Sequence, residues 1–320
     1  MRVWMHRRAG SGLLYLITSG LLWGTGGLTG TLLSRVAGLS ALAVAAGRLA
    51  AGGVLIVAFL TVTRRPWPSG RAAWTRIAVI GSLAAAYQSC YFMAVSLTSV
   101  ALATLVTIGT APVIVLGVER VTGRRADRLA AVAAGLALAG LGLLVGLPSG
   151  FAATRVLASA GLAVLAAGGF AAITLTGTRP VPGLDELTVT GFGFTVGGLA
   201  LVPLAGALGG LSFRPGPEAV GLLIALGTGP TAIAYTLYFR GLRTAAASTA
   251  TLLALLEPLT GAVLAAIILG QRLSAAGIAG AVVLVSAVAL TIRDAGPGQV
   301  QADVPPVASE EPAAMPAVTT

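Results

Sequence analysis

The chain is written in long apolar runs cut by short polar breaks. Runs of about 20 residues, the length of a helix that crosses a bilayer, occur ten times: 12–33, 41–62, 77–97, 99–118, 129–147, 157–177, 187–208, 219–239, 245–269 and 274–292. None alternates with period two, so the pattern predicts helices rather than the strands of a membrane barrel. Only "LTSV" separates the third run from the fourth, which predicts a tight helical hairpin. Beyond residue 293 the apolar pattern stops. Segment 294–320 is rich in Pro, Ala and acids and reads as a disordered tail.

Composition excludes water as the main solvent. Hydrophobic residues make up 56% of the 320-residue chain and charged residues only 9%, whereas a soluble domain carries roughly a quarter charged. The net charge of +10 would suit nucleic acid if the cations formed one patch. Instead all twenty are Arg, and most sit in the gaps between runs. With the N-terminus in the cytoplasm, fifteen arginines fall inside and four outside (Arg35, Arg155, Arg214 and Arg272), with Arg48 left within a span. That bias predicts both termini in the cytoplasm and an even number of spans, and it argues against a nucleic-acid partner. Arg2, Arg7 and Arg8 precede the first run as in a signal peptide. The run is too long and has no small-x-small cleavage pattern, so it reads as an uncleaved span.

Two stretches resemble each other. "SVALATLVTIGTAPVIVLGVERVTGRRADRLAAVAAGLALAGLGLLVG" begins at Ser99 and "TAAASTATLLALLEPLTGAVLAAIILGQRLSAAGIAGAVVLVSAVAL" at Thr244. Pro112 corresponds to Pro258, and Ala111 stands opposite Glu257. The offset is five spans, an odd number, so the halves insert in opposite senses. The fold expected is therefore an all-α integral membrane protein of ten transmembrane helices. It is built as two inverted five-helix repeats, 12–147 and 157–293, flanked by segments 1–11 and 294–320. Inverted repeats of this kind are a transporter architecture with a site at the midplane.

At these residues the chain resembles the EamA-like ten-span family of the drug/metabolite transporter superfamily. The family's Glu-Pro element, its Arg-bearing turn and its Gly-rich last span are similar to the run from "GTGPTAIAYTLYFRGLRTAAASTATLLALLEP" onward. "LLWGTGG" resembles the first-span Trp-Gly element, and "AVAAGRLAAGGVLI" the second span, where an Arg such as Arg48 recurs. The turn's usual Glu is Gln271 here. The resemblance implies movement of amino acids, other metabolites or drugs across the inner membrane, often outward, coupled to protons or to a counter-substrate.

Glu257 is the sharpest polar feature. An acid at a helix centre costs about 2.5–3.5 kcal/mol on insertion scales, so it should face the bundle interior. Burial favours its neutral form, which suits proton exchange, and a structural bond to a neighbouring helix is the competing role. Pro258 and Pro112 each remove a backbone donor, so both predict helix bends, tolerated at membrane depth only beside protein or a wet cavity. Arg48 lies about 10 Å into its span at 1.5 Å per residue. It can serve the structure or a gate, bind an anionic substrate group, pair with Glu257 or snorkel to the interface. Trp23, Tyr87, Gln88, Tyr91 and Tyr235 are candidate pocket walls, with core packing the alternative. Trp4, Trp67 and Trp74 read as interface anchors. His6 is the chain's single His and Cys90 its single Cys, so no metal set, disulfide, cofactor motif or nucleophile–base pair is expected.

These readings converge on secondary transport of a small organic solute, with proton-coupled export the expected mode. A non-transporting scaffold or regulatory subunit, and an exchanger without protons, are the alternatives. The expected partners are that solute, membrane lipid and protons, in a monomer or homodimer.

Overall fold

A computed structural model describes residues 2–123, 128–146, 150–209, 211–270 and 272–295. Arg124, Arg125, Gln271 and the tail from 296 lie outside the described residues, as do the side chains up to residue 10, including Trp4 and His6. The described residues form helices α1 (Arg2–Ala37), α2 (Ala41–Val62), α3 (Gly70–Leu97), α4 (Val100–Val121), α5 (Arg128–Val145) and α6 (Ala153–Gly177). They continue with α7 (Glu186–Gly209), α8 (Pro217–Gly227), α9 (Ala234–Gly241), α10 (Ala247–Leu253), α11 (Leu256–Leu269) and α12 (Ala275–Asp294). A π-helical turn, Thr228–Ile233, joins α8 to α9, so these make the eighth span. Helices α10 and α11 make the ninth span and α12 the tenth. No strand forms among the described residues, where an isolated bridge pairs Val181 with Leu184.

Nine of the described segments are long and apolar enough to cross a membrane. Helix α1 falls short only because Gly, Ser and Thr dilute its apolar run, and it is the longest helix, packed on α8, α9 and α11. Serines set several helix starts by accepting an otherwise orphaned N–H. Ser40 Oγ accepts from Ala43 at 3.2 Å, Ser99 Oγ from Leu102 at 3.2 Å and Ser274 Oγ from Gly277 at 3.0 Å. The hairpin predicted at "LTSV" is confined to Thr98 and Ser99.

The packing repeats with the sequence. Span two lies along span seven, and span five along span ten. Span three packs on spans six and seven, and span eight on spans one and two. Span four packs on span six, and span nine on span one. Exchanging each span for the one five further on maps this pattern onto itself. Exchanged spans run in opposite senses, so the axis relating the halves lies in the membrane plane. Two equivalent crossings have no room for a side chain. A Cβ on Gly197 would lie 2.7 Å from the Gly81 carbonyl oxygen, and one on Gly52 2.7 Å from that of Gly227. Small residues at such points let backbones meet and gain dispersion contacts that lipid cannot supply.

The end of the bundle where α1 begins is tied by polar contacts between spans. Arg76 Nη1 donates to the carbonyls of Thr176 at 2.5 Å and Arg179 at 2.7 Å, covering the last turn of α6. Glu186, in the first turn of α7, pairs with Arg243 beyond α9. At the opposite, far end the backbone N–H of Arg214 donates to Ala37 O at 2.9 Å. Arg76→Ala is expected to lower the thermal unfolding midpoint in detergent, at a cost of about 1–2 kcal/mol for the lost charge-assisted bonds. Replacing the exposed neighbour Arg71 by Ala should leave that midpoint in place.

Candidate functional site

A small enclosed cavity lies where the two halves meet, walled by Trp23, Arg48, Tyr87, Thr107, Ile108, Phe170, Tyr235, Ala254 and Glu257. The first half supplies the wall from α1 to α4, and the second from α6, α9 and the α10–α11 break. Counted as space open to the centre of a water molecule, it measures about 20 Å³, room for one or two waters. Ligand pockets run to several hundred Å³, so in this conformation the cavity is closed on any organic solute.

Glu257 reaches the cavity at the point where the ninth span breaks. Pro258 has no N–H for the carbonyl of Ala254, which instead accepts from the Glu257 N–H at 2.9 Å. Helix α10 stops at Leu253 and α11 starts at Leu256, so the break expected at Pro258 is present. Its counterpart Pro112 behaves otherwise, since α4 runs uninterrupted through it. In α4 the carbonyl that loses its donor to Pro112 does not interrupt the helix, so the repeated proline permits a break without dictating one.

The walls come as related pairs. Trp23 stands in "LLWGTGGLTG" (21–30) and Phe170 in "GGFAAITLTG" (168–177), two stretches in register through their shared LTG. Their rings meet edge-on at 5.8 Å between centroids. Tyr87 opens "AYQSCYF" after one alanine and Tyr235 likewise opens "AYTLYF". Trp23 lies 4.8 Å from the Tyr235 ring and 4.9 Å from that of Tyr238, which packs with Phe239 in the same core cluster. The Tyr238 hydroxyl is held by Thr174 Oγ1 at 2.7 Å. The indole N–H of Trp23 is buried and among the described residues has no acceptor.

The charges are not paired in this way. Arg48 and Glu257 each occur in one half only, and both face the cavity. Among the described residues no ion pair joins them. Arg48 instead donates from Nε to Thr231 Oγ1 at 3.3 Å and from Nη2 to Pro230 O at 3.5 Å. It is an interior group rather than a snorkelling one.

Of the residues singled out in the sequence, the structure brings Trp23, Arg48, Tyr87, Tyr235 and Glu257 to one cavity. Gln88 is buried but off its wall. Tyr91 also stands outside, where its hydroxyl shares a 2.7 Å hydrogen bond with Thr104 and its ring lies 6.3 Å from that of Tyr87. Sequence reasoning missed Phe170, although the LTG register points to it as the partner of Trp23. It also passed over Thr231, whose significance depends on the π-helical turn. Trp67 and Trp74, placed as interface anchors, both pack edge-on against Phe192, at 5.4 and 5.6 Å. Among the described residues no cluster of His, Cys, Asp and Glu could hold a metal ion.

The whole-chain comparisons agree with this architecture. A solved crystal structure shares the fold with a TM-score of 0.74 at 23% identity, covering 88% of this chain and 98% of that one. The "Uncharacterized transporter YwfM" of Bacillus subtilis (strain 168) is 29% identical over 267 residues, 82% of this chain and 86% of that protein. The EamA-like transporter family matches residues 10–146 and again 157–293, once for each half. The chain therefore belongs to the EamA-like transporter family, as a multi-pass membrane transporter and not an enzyme.

Proposed function

We propose that this transporter is a secondary exporter of small organic metabolites, coupled to protons through Glu257 and working by alternating access. The observation that carries the reading is the closed cavity between inverted halves, with a carboxyl group in its wall. A group that is charged when exposed to water and neutral when enclosed exchanges a proton for each change of access. The arginine bias supports a reading in which the end where α1 begins, and with it both chain termini, faces the cytoplasm across the inner membrane.

Differences between equivalent positions support alternating access. Toward the cytoplasmic end, Ala247, Ala250, Leu252 and Leu253 of α10 are buried. At the equivalent positions of α4 toward the far end, Ala101 is exposed and Thr104 and Val106 are half-buried, while Thr107 is buried as Leu253 is. Related halves that hold different conformations can exchange them, which reverses the open side. The broken ninth span and the unbroken fourth are one such difference, and the π turn of span eight against the continuous third span is another.

An export screen tests the reading. Cells expressing the chain should release at least one metabolite faster than cells carrying an empty vector, with the same solute moved by liposomes containing only this protein. A screen with no such solute, at matched expression in the membrane, would count against transport and for a scaffold.

A further inference from the structure

Pro230 lies inside the π-helical turn of span eight and has no N–H to give the carbonyl of Leu226, four residues back. Thr231 fills that vacancy, donating its hydroxyl to Leu226 O at 2.8 Å. With its hydrogen committed, the Thr231 oxygen has only lone pairs left to offer, and Arg48 Nε donates to it. The neighbouring Pro230 carbonyl takes Arg48 Nη2. Thr231 itself is fully buried, and a Cβ on Gly52 would meet its methyl at 2.9 Å, so the side chain has little freedom. Two of the three guanidinium nitrogens are thus held by one turn, and among the described residues Nη1 has no acceptor.

We propose that Thr231 is a positioning residue that holds Arg48 as a preorganised receptor for a carboxylate group on the transported solute. The inference rests on the cavity being the transport site. A guanidinium fixed from behind loses little freedom on binding, and its remaining N–H groups match a planar oxyanion. A monoanion is the fitting charge. One cation balances one carboxylate, whereas a phosphate dianion beside Glu257 would bury uncompensated charge.

The test uses the full chain in liposomes with radiolabelled 3-phenylpropanoate and 4-methylpentanoate, each beside its carboxamide. At least one acid should be moved, and its amide about tenfold less well, the scale of one lost charge-assisted bond. Thr231→Val keeps the shape and removes the hydroxyl. It should raise KM for that acid about tenfold with kcat within about twofold, and Thr231→Ser should restore KM. A purely structural role would lower the unfolding midpoint or the amount of active protein without moving KM. Amides moved as well as acids, or a KM indifferent to Thr231→Val, would overturn the proposal. So would an export screen that finds a solute while none of these acids moves. A screen that finds no solute at all brings down the transport reading beneath it.

Discussion

Glu257→Gln is expected to abolish solute movement driven by a pH gradient, by at least about tenfold, while solute-for-solute exchange continues. The amide has nearly the shape and hydrogen-bonding reach of a protonated carboxyl but never carries a proton across. A variant fixed in the neutral form can still enclose a solute and open on either side, since enclosure favours neutrality. What it loses is the link between proton release and solute release. Measuring both modes in the same liposomes separates coupling from binding. Full gradient-driven flux in Glu257→Gln would leave the carboxyl with a structural role only. Loss of both modes together would assign it to solute binding or folding rather than to coupling.

Gly24→Val should be nearly as damaging, for a reason of space rather than charge. Gly24 lies one residue beyond Trp23, and a Cβ there would sit 2.9 Å from the backbone oxygen of Glu257 and overlap the side chain of Thr260. Backbone cannot rotate away, so α11 must shift off α1 and take Glu257 with it. Overpacking of this kind costs about 1–3 kcal/mol before any functional effect. The variant is expected to unfold at lower temperature and to lose most of its flux. Gly27→Val is the control, because a Cβ there meets nothing within 4 Å. Equal behaviour of the two variants would show that contact between α1 and α11 does not set the position of Glu257.

Much of the fold was legible because bilayer thickness turns hydropathy into element lengths. The ten runs correspond to the ten spans, and the odd offset of the repeat yields the inverted packing. The residues facing the cavity were legible where chemistry is conspicuous in hydrocarbon, as for Arg48 and Glu257, or where aromatics recur, as for Trp23, Tyr87 and Tyr235. Gln88 and Tyr91 share a helix with Tyr87, yet only the rotation of α3 decides which of them meets the cavity, and spacing alone does not supply that rotation. The π-helical turn was hidden for a related reason. Pro112 and Pro258 show the limit most plainly: one residue type, at equivalent places, borders a break in one half and lies within an intact helix in the other.

The central claim is that the chain alone couples a proton to movement of a solute through the cavity between its halves. The most direct measurement is flux of the solute found by the export screen, in liposomes containing only this protein, with and without an imposed pH gradient. The account predicts uphill movement that follows the sign of the gradient and collapses when a protonophore is added. Flux that requires a counter-solute and ignores the pH gradient would contradict it.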